Sequence, residues 1–317
     1  MDKKCHNLAM DSMRVFDREL VKRRRDRAVA TLPDADFLLK ESAARLADRL
    51  LDMARTFPLA LDLGCHTGQL AEALLRHPKV GTLVQCDVSP RMAAQARNNG
   101  HGTFCADEEF LPIANGALDL ALSNLSLHWV NDLPGAFAQV RQALKSDGLF
   151  LAHMFGGDTL RELRLALLEA EGDTSGGVGP RVSPFTDVRD AGNLLTRAGF
   201  ALPVIDADTI TVTYEDLFKL MADLRRMGET NTVVERPKKP ARRDLFLRAA
   251  DIYARRFADQ RGRLTATFQI ISLTAWVPHS SQQKPLRPGS AAARLADALK
   301  TTEVSVDAAT PFPKKPQ

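Results

Sequence analysis

The chain has 317 residues, 44% of them hydrophobic and 26% charged, which is enough for a packed core at an ordinary charge density. Its 43 lysines and arginines against 39 acids leave a formal charge of only +4, so the balance gives no ground for a nucleic-acid partner. No apolar run approaches the roughly 18 residues of a membrane span, and the four cysteines, Cys5, Cys65, Cys86 and Cys105, contain no C-x-x-C pair for zinc or redox chemistry. The basic start of the chain has no apolar signal core, and Asp2, Asp11, Asp17 and Glu19 argue against a transit peptide. The expected setting is therefore the cytoplasm, without membrane insertion.

The first twelve residues show no pattern. Residues 16–27 read as a basic helix in which Phe16, Leu20 and Arg23 share a face. It suits either an entrance for an acidic substrate or a solvated surface. Residues 38–54 form an amphipathic helix with Leu39, Ala43, Leu46, Leu50 and Met53 on one stripe. Pro58 leads into the stretch around which the chain is organised, Leu59-Ala60-Leu61-Asp62-Leu63-Gly64-Cys65-His66-Thr67-Gly68-Gln69-Leu70. This is an apolar strand, a glycine turn and the start of a helix. Such a turn sets backbone N–H groups against a ligand. Gly64 and Gly68 supply close approach and a freer φ, and Asp62 offers an acceptor to a cationic or hydroxyl-bearing group. Read alone, it fits a ligand-free turn equally well.

The following residues extend the pattern. The run Thr82-Leu83-Val84-Gln85-Cys86 ends at Asp87, 25 residues after Asp62. In nucleotide-binding α/β folds an acid about 20 residues beyond the glycine turn takes the ribose hydroxyls. Ala106-Asp107-Glu108 comes next, then a fourth strand over 117–123 and a fifth over 149–152. Helices are expected at 69–76, 90–98 and 133–144, the second with Ser89 as cap and Pro90 at its first position. This alternation predicts a parallel sheet with helices on both faces. Beyond it come helices at 161–171 and 187–198, a strand at 201–212 with an irregularity near Asp206, and a helix at 214–227. A basic, proline-broken connector spans 236–243. A helix at 245–257 and a long β-branched strand at 265–277 complete the pattern.

In this order, Asp62, Gly64, Gly68, Asp87 and Asp107 resemble the class I S-adenosylmethionine methyltransferases, over residues 55–155. The resemblance implies a Rossmann-like α/β fold with a seven-stranded, mostly parallel sheet, an antiparallel last strand and a helical insertion. It also implies S-adenosyl-L-methionine as cofactor, bound through Asp62, Gly64, His66, Gly68, Asp87, Asp107 and Ser123. The acid after the second strand would hold the ribose, and the acid after the third would face the adenine. The commonest turn of that family has glycine where this chain has His66. The expected domains are N-terminal helices over 1–54, a methyltransferase-like domain over 55–303 with a cap at 215–262, and a disordered tail at 304–317.

Further motifs narrow the resemblance: Phe16-Asp17-Arg18, Ser126-Leu127-His128-Trp129-Val130-Asn131-Asp132-Leu133-Pro134, Gly156-Gly157-Asp158-Thr159-Leu160-Arg161-Glu162-Leu163, Pro180-Arg181-Val182-Ser183-Pro184-Phe185 and Met227-Gly228-Glu229-Thr230-Asn231. Over about residues 14–295 the chain resembles bacterial relatives of the mitochondrial complex I assembly factor with a methyltransferase fold, a family similar to the malonyl-acyl-carrier-protein methyltransferase of biotin synthesis. The resemblance implies methyl transfer to a small acid, a carrier-bound acyl group or a protein side chain. Its alternative is arginine hydroxylation or a non-methylating assembly role for respiratory NADH dehydrogenase. The implied partners are a complex I subunit or acyl carrier protein.

Methyl transfer needs little more than in-line approach, and the sequence leaves the catalytic residue unassigned. The loop after the fourth strand supplies Ser123, Asn124, Ser126, His128 and Trp129. Among them His128 is the candidate, as a base, an orienting group or a packed structural histidine. None of the seven histidines begins the His-x-Asp/Glu pattern of a facial-triad iron site, and no metal ligands are assigned. Lys284 and Arg287 form a basic loop able to hold an anion, or a solvated one.

Overall fold

The apolar stretch ending at Asp62 becomes strand β1 (Phe57–Leu63), whose last four residues are buried. In the computed structural model, which describes residues 14–175, 177–283 and 294–302, β1 lies inside a seven-stranded sheet. The other strands are β2 (Val80–Asp87), β3 (Gly102–Cys105), β4 (Leu118–Asn124), β5 (Leu144–Phe155), β6 (Ala201–Tyr214) and β7 (Leu264–Trp276). Their order is β3-β2-β1-β4-β5-β7-β6. Strands β1 to β5 run parallel, and β7 runs antiparallel between β5 and β6. Every residue of β4 is buried. A parallel strand covered on both faces reads as a continuous apolar run, which is how residues 117–123 read in the sequence.

The strand order reverses between β1 and β4, so a crevice opens beyond their carboxyl ends. The glycine turn lies there. The expected final pair is present, in register from Ala201 opposite Trp276 to Tyr214 opposite Leu264. Its irregularity falls between Ala201 and Val204, where Leu202 has φ +50°, and not near Asp206.

Helices α1 (Arg18–Ala28) and α2 (Phe37–Leu51) precede the sheet, and α3 (Gln69–Ala73), α4 (Pro90–Ala96) and α5 (Leu133–Ala143) follow β1, β2 and β4. Ser89 Oγ accepts from Met92 N at 3.0 Å, as a cap before Pro90 should. α3 stops short of the expected Arg76, whose φ is +60°. Between β5 and β7 come α6 (Arg161–Ser175), α7 (Val188–Arg197), α8 (Leu217–Met227) and α9 (Arg243–Phe257).

The apolar stripe of α2 packs with Leu70 and Leu74 on β1 and β4. α5 and α7 bury Phe137 and Leu195 on the opposite face. The stripes of α8 and α9 join Leu163 and Leu167 of α6 and Ala28 and Leu32 in a third cluster. Each fully buried leucine there contributes roughly 1.5–3 kcal/mol.

The chain divides into two compact units, residues 1–279 and 280–317. Within the second, the described residues include one short helix, α10 (Leu295–Ala298). Residues 1–12, Lys284, Arg287 and the 304–317 tail lie outside the described residues. No helix among the described residues is long and apolar enough to cross a membrane.

Candidate functional site

β1 ends in a turn built on positive φ angles: Gly64 at +72°, His66 at +50° and Gly68 at +101°. Space is as restrictive as angle. A Cβ on Gly64 would lie 2.0 Å from Ser126 Oγ, and one on Gly68 would lie 2.1 Å from Asn99 Nδ2. Gly64→Ala is therefore expected to cost roughly 1–2 kcal/mol through the left-handed backbone alone, with a further penalty for displacing Ser126. A urea unfolding midpoint equal to that of the native chain would contradict this.

Several of the turn's backbone donors are taken within the fold. Gly64 N and Cys65 N both donate to Cys86 O, at 2.8 and 2.9 Å, and His66 N donates to Asp87 Oδ2 at 3.0 Å. The reason is the parallel neighbour: the end of β2 lies beside the turn, and its terminal carbonyl and carboxylate take the N–H groups. What the crevice offers is therefore a set of carboxylates.

Asp62 is fully buried. Gln85 Nε2 donates to its Oδ2 at 3.4 Å, and Oδ1 has no partner. Burial pushes the Asp62 carboxyl up to about 7, with the neighbouring Asp87 adding to the rise and Gln85 opposing it. Asp87 is also buried, and it is engaged on both oxygens. Ser89 N donates to Oδ1 at 2.8 Å, and Arg25 Nη1 joins His66 N on Oδ2 at 3.0 Å.

Arg25 comes from the basic helix α1 and is only 2% exposed. Its Nη2 donates to Ser126 Oγ at 2.8 Å and its Nη1 to Glu108 Oε1 at 3.4 Å. Glu108 is buried too, and takes further bonds from Ser126 Oγ at 2.5 Å and from Arg18. Burial alone would raise the Glu108 carboxyl, but the Arg18 and Arg25 guanidiniums outweigh it and hold it at about 2. Arg18 also binds Asp107, through Nη2 at 2.5 Å. Two arginines of α1 thus fill an acidic cluster of Asp87, Asp107 and Glu108.

The remaining sequence candidates have different surroundings. Ser123 Oγ donates to Leu63 O at 2.7 Å, joining β4 to the end of β1. The His66 ring is buried and its Nε2 donates to Leu125 O at 3.1 Å, with Nδ1 unpartnered. Burial, then the Arg25 charge, hold His66 below the ordinary histidine range. Asn124 Nδ2 donates to Leu39 O at 2.9 Å. His128 packs against Phe155 with ring centroids 4.7 Å apart, and its Nε2 lies 3.0 Å from Glu229 Oε2. Trp129 Nε1 donates to the same Glu229 oxygen at 3.0 Å. Burial raises the Glu229 carboxyl, but His128 and Arg25 hold it below the usual carboxylate range. An ionised carboxylate only accepts, so His128 Nε2 donates to it in this hydrogen bond, while His128 Nδ1 has no partner.

Arg18, Arg25, Glu108 and Glu229 were not among the expected site residues. The signal for the arginines is a helical stripe, Arg18-Val21-Arg25-Ala28, of which Val21, Arg25 and Ala28 are buried. This stripe is not a solvated face: Arg18 and Arg25 turn inward onto the acidic cluster. Among the described residues no group of three or more His, Cys, Asp or Glu side chains is placed to hold a metal ion.

Residues 61–152, which include the turn and the acidic cluster, match the family described as "Methyltransferase domain". The zebrafish (Danio rerio) mitochondrial arginine-hydroxylase NDUFAF5 is 44% identical over 93% of this chain and 92% of its own length. The human protein of the same name is 44% identical over 88% of this chain and 82% of its own. A malonyl-[acyl-carrier protein] O-methyltransferase from Laribacter hongkongensis is 33% identical over 86% of this chain and 94% of its own. Among solved structures, the YcgJ protein of Bacillus subtilis superposes with a TM-score of 0.54 over 76% of this chain and 99% of that one. At 15% identity this likeness concerns the fold alone.

Proposed function

The chain belongs to the family of the mitochondrial arginine-hydroxylase NDUFAF5, and from that premise we propose that it is an S-adenosylmethionine-dependent methyltransferase acting on a small acid, a carrier-bound acyl group or a protein side chain. S-adenosylmethionine is the cofactor of this domain class and supplies an electrophilic methyl group when bound. The single observation that supports the reading most is Asp62 Oδ1, an unpartnered carboxylate oxygen buried beside the glycine turn. A buried orphan acceptor is costly unless a donor meets it, and a ligand ammonium or hydroxyl is such a donor.

The donor set suits the cofactor in kind. Asp62 would take a cationic end, Asp87 the ribose hydroxyls and Asp107 the adenine side, with Gly64 and Gly68 adding no side chain at either end of the turn. His66 stands close by, anchored on Leu125 O, and Ser123 holds the floor between β1 and β4. Arg25 must share or release Asp87, and Arg18 must share or release Asp107, for those acids to serve a ligand. His128 is the candidate base or orienting group, with Glu229 fixing its tautomer.

We read the 215–262 insertion as a cap over the mouth of this site. Glu229, just beyond α8, reaches His128 and Trp129 in the loop after β4. The segment before α1 is laced to the same region through Asp17 N to Thr232 O at 2.9 Å and Val234 N to Val15 O at 2.8 Å. The cytoplasmic setting belongs to the same reading, in keeping with the free thiols of Cys65 and Cys86.

The higher identity to the hydroxylases favours a second reading, arginine hydroxylation or an assembly role for respiratory NADH dehydrogenase with one of its subunits as partner. Titration calorimetry with S-adenosylmethionine, followed by intact-mass analysis of candidate acceptors, separates the two. A gain of one methyl group supports the first reading and a gain of one oxygen supports the second. No heat of binding at high micromolar ligand would contradict the first.

A further inference from the structure

A cavity of about 260 Å³ lies among α1, α6, α8, α9 and the segment following α8. One wall is apolar and includes Leu163, Met221 and Phe246. Arg24, Arg225 and Arg236 also line it. Their counter-charges are incomplete. Arg236 has Asp17 at 3.5 Å, and a fourth lining guanidinium, Arg181, is neutralised by Glu171 at 2.6 Å. The Arg24 guanidinium donates to the Asn231 carbonyl, and among the described residues no hydrogen bond or ion pair is made by the Arg225 guanidinium. Glu229 lines the cavity as well, but its Oε2 is committed to His128 and Trp129.

We propose that this cavity binds an amphipathic anion, with a carboxylate or phosphate head held by Arg24 and Arg225 and an apolar body against Leu163, Met221 and Phe246. The alternation on α1 is instructive: Arg25 faces the acidic cluster, whereas its neighbour Arg24 faces this cavity. Burial, and then the like charge of Arg236, lower Arg24 to about 10, against the opposing pull of Asp17. Guanidiniums recognise carboxylate and phosphate through paired N–H donors. A free arginine side chain would meet like charge here, so the cavity does not suit a cationic peptide. Its volume is just below the usual range for ligand pockets, which fits one slender chain. The inference does not depend on methyl transfer, since none of these groups belongs to the proposed cofactor site.

The test is calorimetric titration of the full chain with dodecanoate, dodecyl phosphate and dodecyltrimethylammonium, each below its micelle concentration. Both anions are expected to bind and the cation is not. Tighter dodecanoate binding points to a free fatty acid as the natural ligand, and tighter dodecyl phosphate binding points to a phosphate-headed lipid. Arg225→Gln, at an exposed position where folding is not at stake, should weaken the anions by about tenfold. Adding Arg24→Gln should remove binding. Equal binding of the cation, failure of both anions to bind the native chain, or undiminished affinity in Arg225→Gln would overturn the proposal.

Discussion

Replacing Arg25 with methionine is expected to lower the unfolding free energy of the ligand-free chain by about 3–5 kcal/mol at neutral pH. The substitution nearly preserves volume, so the effect is electrostatic. It leaves Asp87 with a buried oxygen that has lost its guanidinium, and it strips Glu108 of one of the two cations beside it. Breaking a buried pair on one side is expensive because the remaining charge stays desolvated. Glu108 also gives the effect a pH signature. Its folded pKa, about 2, lies below the ordinary 4.5. Its stabilisation is therefore present above about 4.5 and is lost as pH falls through about 2. The gap between native and variant chains should narrow across that acid window. Urea unfolding followed by circular dichroism measures both quantities. A loss below about 1 kcal/mol at pH 7 would place Arg25 in solvent instead.

A second large effect concerns Asp62, and its sign is opposite. Its carboxyl rises from 3.8 to about 7 on folding. For an acid whose folded pKa is raised, the stabilising contribution is complete below the unfolded value and is lost as pH rises through the folded one. A rise of about three units at 1.36 kcal/mol each amounts to about 4 kcal/mol, fully expressed by about pH 8. Asp62→Asn, which cannot ionise, should therefore be the more stable chain at pH 8, by up to about that amount, with the difference vanishing toward pH 4. A native chain no less stable than the variant at pH 8 would show that Asp62 is hydrated. The same shift has a binding counterpart. A cationic ligand group meeting Oδ1 would draw the carboxyl down, so binding near pH 6 should release a proton. The calorimetric enthalpy would then change with the ionisation heat of the buffer.

Both effects arise in places the sequence describes only in part. The β1–turn–α3 stretch is legible because its signals are local: an apolar run, glycines where φ must be positive, and a cap before α4. The parallel sheet follows from the alternation, and the resemblance implies the antiparallel last strand that the segments at 201–212 and 265–277 supply. The helices at 38–54, 214–227 and 245–257 are legible from local signals too, since each carries its own apolar stripe. The site was harder, because charge is not direction. The run Arg23-Arg24-Arg25-Asp26-Arg27 reads as one basic surface, yet its members face different environments. Arg24 lines a cavity, Arg25 is sealed among carboxylates and Arg27 is exposed. Only the three-and-four spacing of Arg18, Val21, Arg25 and Ala28 distinguishes them.

Adjacent Asp107 and Glu108 present the same difficulty. The resemblance points to Asp107, whereas in the fold Glu108 is the buried one and Asp107 is partly exposed, and both receive Arg18. The turn's donors are hard to read for a related reason. Which N–H groups stay free depends on how far the neighbouring strand extends, and the close of β2 beside β1 is a tertiary fact. Ser123 likewise turns to Leu63 O because β4 and β1 are paired, which no local pattern records. Glu229 lies 101 residues from His128, and nothing in either stretch announces their contact.

The claim at the centre of this account is that the glycine turn holds S-adenosylmethionine and that α1 yields Asp87 in doing so. Hydrogen exchange of the full chain, with and without saturating S-adenosylhomocysteine, addresses it most directly. Slower exchange is expected at 62–68 together with altered exchange in 18–28, and slowing in 215–228 and 245–258 as the proposed cap closes. Unchanged exchange at 62–68 under millimolar ligand would contradict it.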